Sequence, residues 1–184
     1  MGASFRRSVG LGMEGGVPDW CNNFLDVQGE VEEVQRFREK AIGHDPRDPV
    51  PTNKEPCLLN FHSLVPIPDE VLRQEYHLAG IQWECQNWGC KWGACEVILV
   101  NNSGNALYYT FETPWGPPLA LVKQLGVMWP GLKFLLEYDN EPGPESSILK
   151  HLFGWEIPEI TPGSRFKGRC TVHGDHFNDQ YEQF

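Results

Sequence analysis

The residues best suited to chemistry lie between positions 83 and 115. Trp83, Trp88 and Trp92 fall within ten residues of one another, Lys91 stands beside them, and Trp115 follows the next predicted hairpin. Flat aromatic faces beside a cation can stack a base and hold a phosphate. Large aromatic rings also fill cores, so a tryptophan-rich lid over the edge of the sheet is the competing interpretation. The candidate binding residues are Asn87, Trp88, Lys91, Trp92 and Trp115.

The six cysteines offer two weak metal patterns. Cys85, Cys90 and Cys95 follow a C-x4-C-x4-C spacing, which is not the usual zinc-knuckle pattern of two closely spaced thiolates directed at one metal ion. In the tail, Cys170, His173 and His176 are spaced by threes, but the Gly-Asp pair between the histidines is typical of a hairpin turn. We therefore predict neither a metal site nor a cofactor.

Catalytic signatures are equally sparse. No nucleophile elbow or thiol-protease motif surrounds any serine or cysteine, and no glycine-rich loop joins a strand to a helix. His62 lies in a predicted strand, where a structural histidine is the usual interpretation, and Glu32-Glu33 lie on a solvated helix face. The pattern favours a binding protein over an enzyme.

Composition narrows the class of partner. The 184 residues carry a net charge of −10 and show no basic patch, which argues against binding duplex nucleic acid. Acidic residues concentrate on both sides of the tryptophan-rich centre, where they form an acidic rim that attracts a basic protein, mimics nucleic acid or serves solubility alone. Neither a membrane span nor a secretory leader is visible in the sequence, so we expect a cytoplasmic protein with reduced thiols.

Periodicity predicts the elements that position these residues. The predicted strands cover residues 21–28, 58–65, 94–100, 106–113 and 132–138. The predicted helices cover residues 30–41, 69–76 and 117–129, while 83–93 is expected to be irregular. The clearest hairpin joins 94–100 to 106–113, and a further hairpin is expected around His173-Gly174-Asp175. Such an order is typical of an α+β fold with helices on one face of an antiparallel sheet.

The chain divides into three predicted parts. Residues 1–17 are glycine-rich without periodicity and are expected to form a flexible extension. Residues 18–143 form the α+β domain, and residues 144–184 form a C-terminal extension, irregular apart from its hairpin, that packs on the same domain.

Four motifs in order resemble the YubB-type ferredoxin-like domain family. They are Pro-Asp-Trp-Cys-Asn-Asn at 18–23 leading into Leu-x-Val-x-Gly at 25–29, Val-Pro-Ile-Pro at 65–68, Asn-Trp-Gly-Cys-Lys-Trp at 87–92, and Phe-Glu-Thr-Pro-Trp-Gly-Pro-Pro at 111–118. The resemblance spans about residues 18–143. The chain departs from the family by its first 17 residues, its cysteine-rich central motif and its longer tail.

The resemblance implies a ferredoxin-like sheet and an origin in phages, plasmids or other mobile elements. It brings no catalytic residues, since the family has no established biochemical role. The leading hypothesis is a non-enzymatic accessory protein that binds a host protein and inhibits a host defence system. The alternatives are a protein that sequesters a nucleotide-like signal in a tryptophan-rich pocket and, in second place, a hydrolase or nuclease. The oligomeric state is left open.

Overall fold

A computed structural model describes residues 19–47, 55–74, 79–140 and 166–183. The strands in these ranges are β1 (Trp20–Gln28), β2 (Cys95–Asn102), β3 (Ala106–Pro114), β4 (Lys133–Asn140), β5 (Phe166–His173) and β6 (His176–Gln183). The helices are α1 (Val31–Ala41), α2 (Phe61–Leu64), α3 (Asp69–Leu72), α4 (Ala79–Asn87) and α5 (Leu119–Met128). In this described part of the chain, no helix combines the length and the apolar character needed to cross a membrane.

The six strands form one antiparallel sheet in the order β2-β3-β1-β4-β5-β6. β1 lies inside the sheet, pairing with β3 through Leu25 opposite Tyr109 and with β4 through Leu25 opposite Leu136. The predicted α+β class is confirmed. The β2–β3 hairpin and the C-terminal hairpin, β5–β6, also form where the turn residues predicted them.

Alternation along the strands divides the sheet into a buried face and an outer face. In β1, Leu25 and Val27 are buried while Phe24 and Asp26 between them are partly exposed, as the period of two predicts. Residues paired with Leu25 across the sheet, Tyr109 and Leu136, are buried as well. The core therefore lies on the side of the sheet that carries Leu25.

The helices α1 and α5 contact the buried face. Phe37 of α1 packs edge-to-face on Phe134 of β4, with ring centroids 5.5 Å apart. Gly126 of α5 lies so close to β5 that a Cβ atom there would overlap the side chain of Val172. Phe134 and Val172 are paired neighbours in the sheet. Both helices therefore rest on adjacent residues of this face.

The predicted strand at 58–65 is wrong. Residues Phe61–Leu64 form the single helical turn α2, because the Asn60 side chain accepts a hydrogen bond from the Ser63 N–H at 2.8 Å. An asparagine that caps a helix in this way competes effectively with strand pairing. His62 consequently lies on a helix rather than in a strand.

The expectation of an irregular 83–93 segment is wrong for its first half. Ala79–Asn87 forms α4, and only the residues after Asn87 are irregular. Gly89 and Gly93 there have φ values of 88° and 78°, which glycine adopts at little cost. These two glycines let the chain turn twice between α4 and β2.

β2 is an edge strand with irregular pairing. Its register against β3 shifts between Cys95 and Ile98 and again between Leu99 and Asn101. Glu96, within the first shift, has a φ of 49°, in the left-handed region that side chains usually avoid. Such bulges bend an edge strand and disturb its unpaired backbone groups.

The predicted extension 1–17 lies outside the described residues, as do 141–165, where the predicted boundary at 143/144 falls. The described end of the chain joins the sheet directly, since β5 pairs with β4 from Phe166 opposite Asn140 to His173 opposite Lys133. Cys170 and Val172 of β5 are buried in the core.

Candidate functional site

Lys91, Trp92 and Trp115 form one cluster, which we call the Trp–Lys–Trp cluster. The Lys91 ammonium lies 4.1 Å from the Trp92 ring centroid and 4.4 Å from the Trp115 ring centroid. A cation within about 6 Å of an indole face is attracted by the negative π cloud, by about 0.5–1 kcal/mol at an exposed site. All three residues are partly exposed. This geometry is consistent with the prediction from the sequence that Lys91, Trp92 and Trp115 lie close together.

Both tryptophans of the cluster have left-handed backbone conformations. The φ of Trp92 is 66° and that of Trp115 is 75°. Bulky residues rarely adopt this region, which costs roughly 1–2 kcal/mol for each residue with a Cβ. Surrounding contacts must therefore hold the two rings in position against this cost.

Trp115 is fixed by hydrogen bonds at the end of the sheet. Its N–H donates to the Asp19 carbonyl at 2.8 Å, which ties the turn to the start of β1. Thr113 donates to the Gly116 carbonyl at 2.7 Å and accepts from the Asn23 side chain at 2.8 Å. The indole Nε1 of Trp115 is buried without a hydrogen-bond partner in the described part of the chain.

Trp92 is fixed by a buried carboxylate that the sequence analysis missed. Its N–H donates to Glu84 Oε2 at 3.0 Å, and the other oxygen, Oε1, accepts from Arg47 Nη1 at 2.6 Å. Arg47 also donates through Nε to Asp45 Oδ1 at 2.8 Å. The Glu84 side chain has no solvent exposure. A buried charge needs such pairing, so Glu84, Arg47 and Asp45 form one structural unit beneath Trp92.

Trp88 is a core residue, which corrects its selection as a surface binding residue. It is 2% exposed, and its Nε1–H donates to the Val65 carbonyl at 3.0 Å. Phe61 and Trp83 pack on it edge-to-face, with centroids 5.8 and 5.6 Å away. Its ring faces are occupied by the protein, so the lid interpretation holds for this tryptophan.

Asn87 joins two helices instead of facing a ligand. Its side-chain amide donates to the Trp83 carbonyl at 2.9 Å within α4, and its own carbonyl accepts from the Gln124 side chain of α5 at 2.6 Å. Both groups are partly buried. The residue thereby fixes the end of α4, from which the chain runs into the Trp–Lys–Trp cluster.

A cleft of about 170 Å³ lies beside Trp92. Its charged and polar lining comes from His44, Asp45, Arg47, Glu55, Asn60 and His62. His62 Nδ1 accepts from the Ile67 N–H at 3.0 Å, and burial lowers the pKa of this imidazole. Asp45 and Glu84 both form ion pairs with Arg47, so carboxylates outnumber guanidinium groups in and beneath this cleft. It is therefore poorly suited to a polyphosphate.

The buried cysteines carry no activated thiol, because burial raises the pKa of each of them. All six are free, and Cys21, Cys85, Cys90 and Cys170 are buried. Burial raises the pKa of Cys85, and likewise that of Cys170, to about 12, so these thiols are protonated and weakly nucleophilic at neutral pH. No three His, Cys, Asp or Glu side chains in the described ranges are grouped to hold a metal ion.

Comparisons with known proteins bear on the fold alone. The sequence matches no protein-family model and no curated protein. The structure is similar to the crystal structure of a protein api92 from Yersinia pseudotuberculosis, assigned to the family model DUF1281. The TM-score is 0.60 at 10% sequence identity, and the match covers 90% of this chain and 98% of that one. This similarity extends over most of both chains and supports a shared α+β architecture.

Proposed function

We propose that the chain is a non-enzymatic accessory protein of a phage, plasmid or other mobile element that binds a host protein in the cytoplasm. We further propose that this binding inhibits a host defence system. The motif resemblance to the YubB-type family supports the mobile-element origin. The strand order β2-β3-β1-β4, with α1 and α5 over one face, supports a ferredoxin-like domain extended by β5 and β6.

The single observation that carries the proposal is the Trp–Lys–Trp cluster. Two partly exposed tryptophans are held in costly left-handed conformations around one ammonium group. Strained backbone persists where the surrounding structure enforces it, and such strain concentrates at functional sites. Tryptophan is also among the residues most enriched at the energetic centres of protein interfaces. The cluster therefore has the composition and rigidity of an interface anchor.

The nucleotide alternative gains less support from the same geometry. The ring faces of Trp92 and Trp115 that approach Lys91 are taken by its ammonium, and Trp88 is inside the core. The adjacent cleft is lined by Asp45 and Glu55, which repel phosphate. The hydrolase or nuclease alternative would need an activated nucleophile or a metal, and the buried thiols are instead protonated.

A capture experiment with matched variants tests the proposal. Tagged wild-type protein is incubated with a bacterial host lysate beside Trp92→Gly and Met128→Ala proteins, and bound proteins are quantified by mass spectrometry. Glycine accepts the left-handed backbone of residue 92, so this variant removes the ring without adding strain. Met128, 50% exposed on α5, is the control position.

We expect one host protein to be retained by wild type and Met128→Ala and lost with Trp92→Gly. With the purified partner, Trp92→Gly should weaken binding by roughly 30-fold, the effect of losing a hot spot of about 2 kcal/mol. Thermal unfolding checks that each variant remains folded. If all three proteins retain the partner equally, the cluster is not part of the interface. If no host protein is enriched, the result contradicts the proposed function itself.

A further inference from the structure

The outer face of the sheet carries an apolar patch on its β2–β3–β1 side. Ile98 and Val100 of β2 are 60% and 57% exposed, and they are among the most exposed large apolar side chains of the described residues. Phe24 of β1 and Tyr108 of β3 are partly exposed beside them. Adjacent exposed apolar side chains of this size mark a contact surface more often than isolated ones do. We call these four residues the outer patch.

The strand register brings the outer patch together. Phe24 lies opposite Thr110, and Thr110 lies opposite Ile98, so these three form one row across β1, β3 and β2. Tyr108 is in the next row, opposite Asn101, and the register shift before Asn101 leaves Val100 beside the same tyrosine. The patch is therefore a continuous surface about three strands wide.

Charge on this half of the sheet has one sign. β1, β2 and β3 contain no lysine, arginine or histidine, and their charged residues are Asp26, Glu96 and Glu112. None of these three carboxylates forms an ion pair with another described residue. Asp26 accepts a hydrogen bond from Gln28 at 2.9 Å, which leaves its charge uncompensated.

The neighbouring strands β4 and β5 are different. Lys167 pairs with Asp139 at 3.4 Å, and Arg169 pairs with Glu137, so this half of the outer face is largely neutralised by its own ion pairs. The outer face therefore has an acidic, apolar half on β1–β3 and a half on β4 and β5 whose charges are paired with one another. Positively charged partners are attracted to the acidic half.

We propose that the outer patch docks a basic amphipathic segment of a partner protein. The apolar side chains take its nonpolar face, and Asp26, Glu96 and Glu112 pair with its lysines or arginines. A second copy of this chain would bring these carboxylates against one another, and a nucleic acid or an anionic membrane would meet no cation on these strands. The proposal goes beyond the Trp–Lys–Trp cluster, since it concerns a different surface and gives the chemistry of its occupant.

Binding of designed peptides to the full chain tests the proposal. Three fluorescent amphipathic peptides share one leucine pattern and carry lysine, glutamine or glutamate at every polar position. We expect fluorescence anisotropy to show the lysine peptide binding at least tenfold more tightly than the glutamate peptide. Raising the salt from 50 to 300 mM should reduce this preference, because salt screens exposed charges.

A pair of variants separates the patch from the overall charge of −10. Ile98→Ser removes apolar surface from the patch, while Val127→Ser removes a similarly exposed side chain, 64% accessible, from α5. We expect Ile98→Ser and Glu112→Gln each to weaken binding of the lysine peptide at least threefold. Val127→Ser should leave its affinity unchanged. Circular dichroism checks that each variant is folded.

Several results would overturn the proposal. They are equal binding of all three peptides, equal effects of Ile98→Ser and Val127→Ser, and a dimer in sedimentation that Ile98→Ser dissociates. Trp92→Gly is expected to leave peptide binding unchanged. If peptides bind but no host partner is captured, the result would therefore count against the proposed function alone. If a host partner is captured but the lysine peptide does not bind, the result would count against the outer patch alone.

Discussion

At the scale of single residues, Glu84 links the candidate site to the core. One carboxylate oxygen accepts from Arg47 and the other from the backbone of Trp92, so the orientation of a partly exposed ring depends on a buried charge. Removing one member of a buried ion pair leaves the other charge poorly solvated. The position of Trp92 and the stability of the fold are therefore coupled through this residue.

Glu84→Gln should lower the free energy of unfolding by about 3 kcal/mol, because Arg47 loses a buried counterion. Urea denaturation followed by tryptophan fluorescence measures the change. The matched control is Asp69→Asn, whose partner Arg73 is 76% exposed; breaking this surface pair should cost no more than about 0.5 kcal/mol. Equal losses in the two variants would contradict the structural role of Glu84.

Sequence alone distinguished the tryptophans poorly. Trp88 and Trp92 are four residues apart and chemically identical, yet one is in the core and the other borders a cleft. Recognising α4 would have placed Trp88 beside the buried Glu84 and Cys85, but the dense tryptophan, cysteine and glycine content hides the helical pattern. Arg47, 37 residues before Glu84, gives no local signal of this pairing.

At the scale of elements, the long periodic segments were predictable and the short capped ones were not. The alternation in β1 and the i, i+3 spacing of Val34 and Phe37 in α1 match the observed burial. The apolar run at α2 predicts a strand, whereas the Asn60 cap makes the segment helical. A single side-chain hydrogen bond decides such short segments, and hydrophobic periodicity does not report it.

Packing of α5 on β5 gives a prediction at this scale. Gly126→Ala would ordinarily stabilise a helix by about 1 kcal/mol. Here the new Cβ would overlap Val172 and lie 2.7 Å from the Gly174 carbonyl oxygen, so we expect a net destabilisation of about 1–2 kcal/mol in thermal or urea unfolding. The exposed neighbour Val127→Ala should change stability by less than about 0.5 kcal/mol. A stabilised Gly126→Ala protein would show that α5 and β5 are not in close contact.

At the scale of the whole molecule, the C-terminal hairpin belongs to the principal sheet. β5 contributes Cys170 and Val172 to the core and pairs along the full length of β4. Tyr138 of β4 donates to Asp179 of β6 at 3.1 Å, and burial raises the pKa of this carboxyl group above its usual value. Six strands therefore share one core, whereas the sequence predicted an extension that packs on the domain and did not predict that its strands continue the sheet.

Thiol accessibility measures the integrity of this shared core. Four of the six cysteines are buried, whereas Cys57 and Cys95 are partly exposed, and burial also raises the pKa of Cys57. A chromogenic disulfide reagent at pH 8 should therefore label at most two thiols within minutes in the native protein. In denaturant it should label all six. Four rapidly labelled thiols in the native protein, or fewer than six after denaturation, would contradict this structure.

The left-handed backbone of Glu96 has a consequence for how this protein changes under selection. Its side chain is exposed on the edge strand, so glycine would relieve about 1 kcal/mol of strain there and sacrifice little packing. A mutant library sorted for heat resistance should accumulate glycine or asparagine at this codon. One sorted for capture of a cationic partner should retain the acid, and the two enrichment profiles would diverge at position 96.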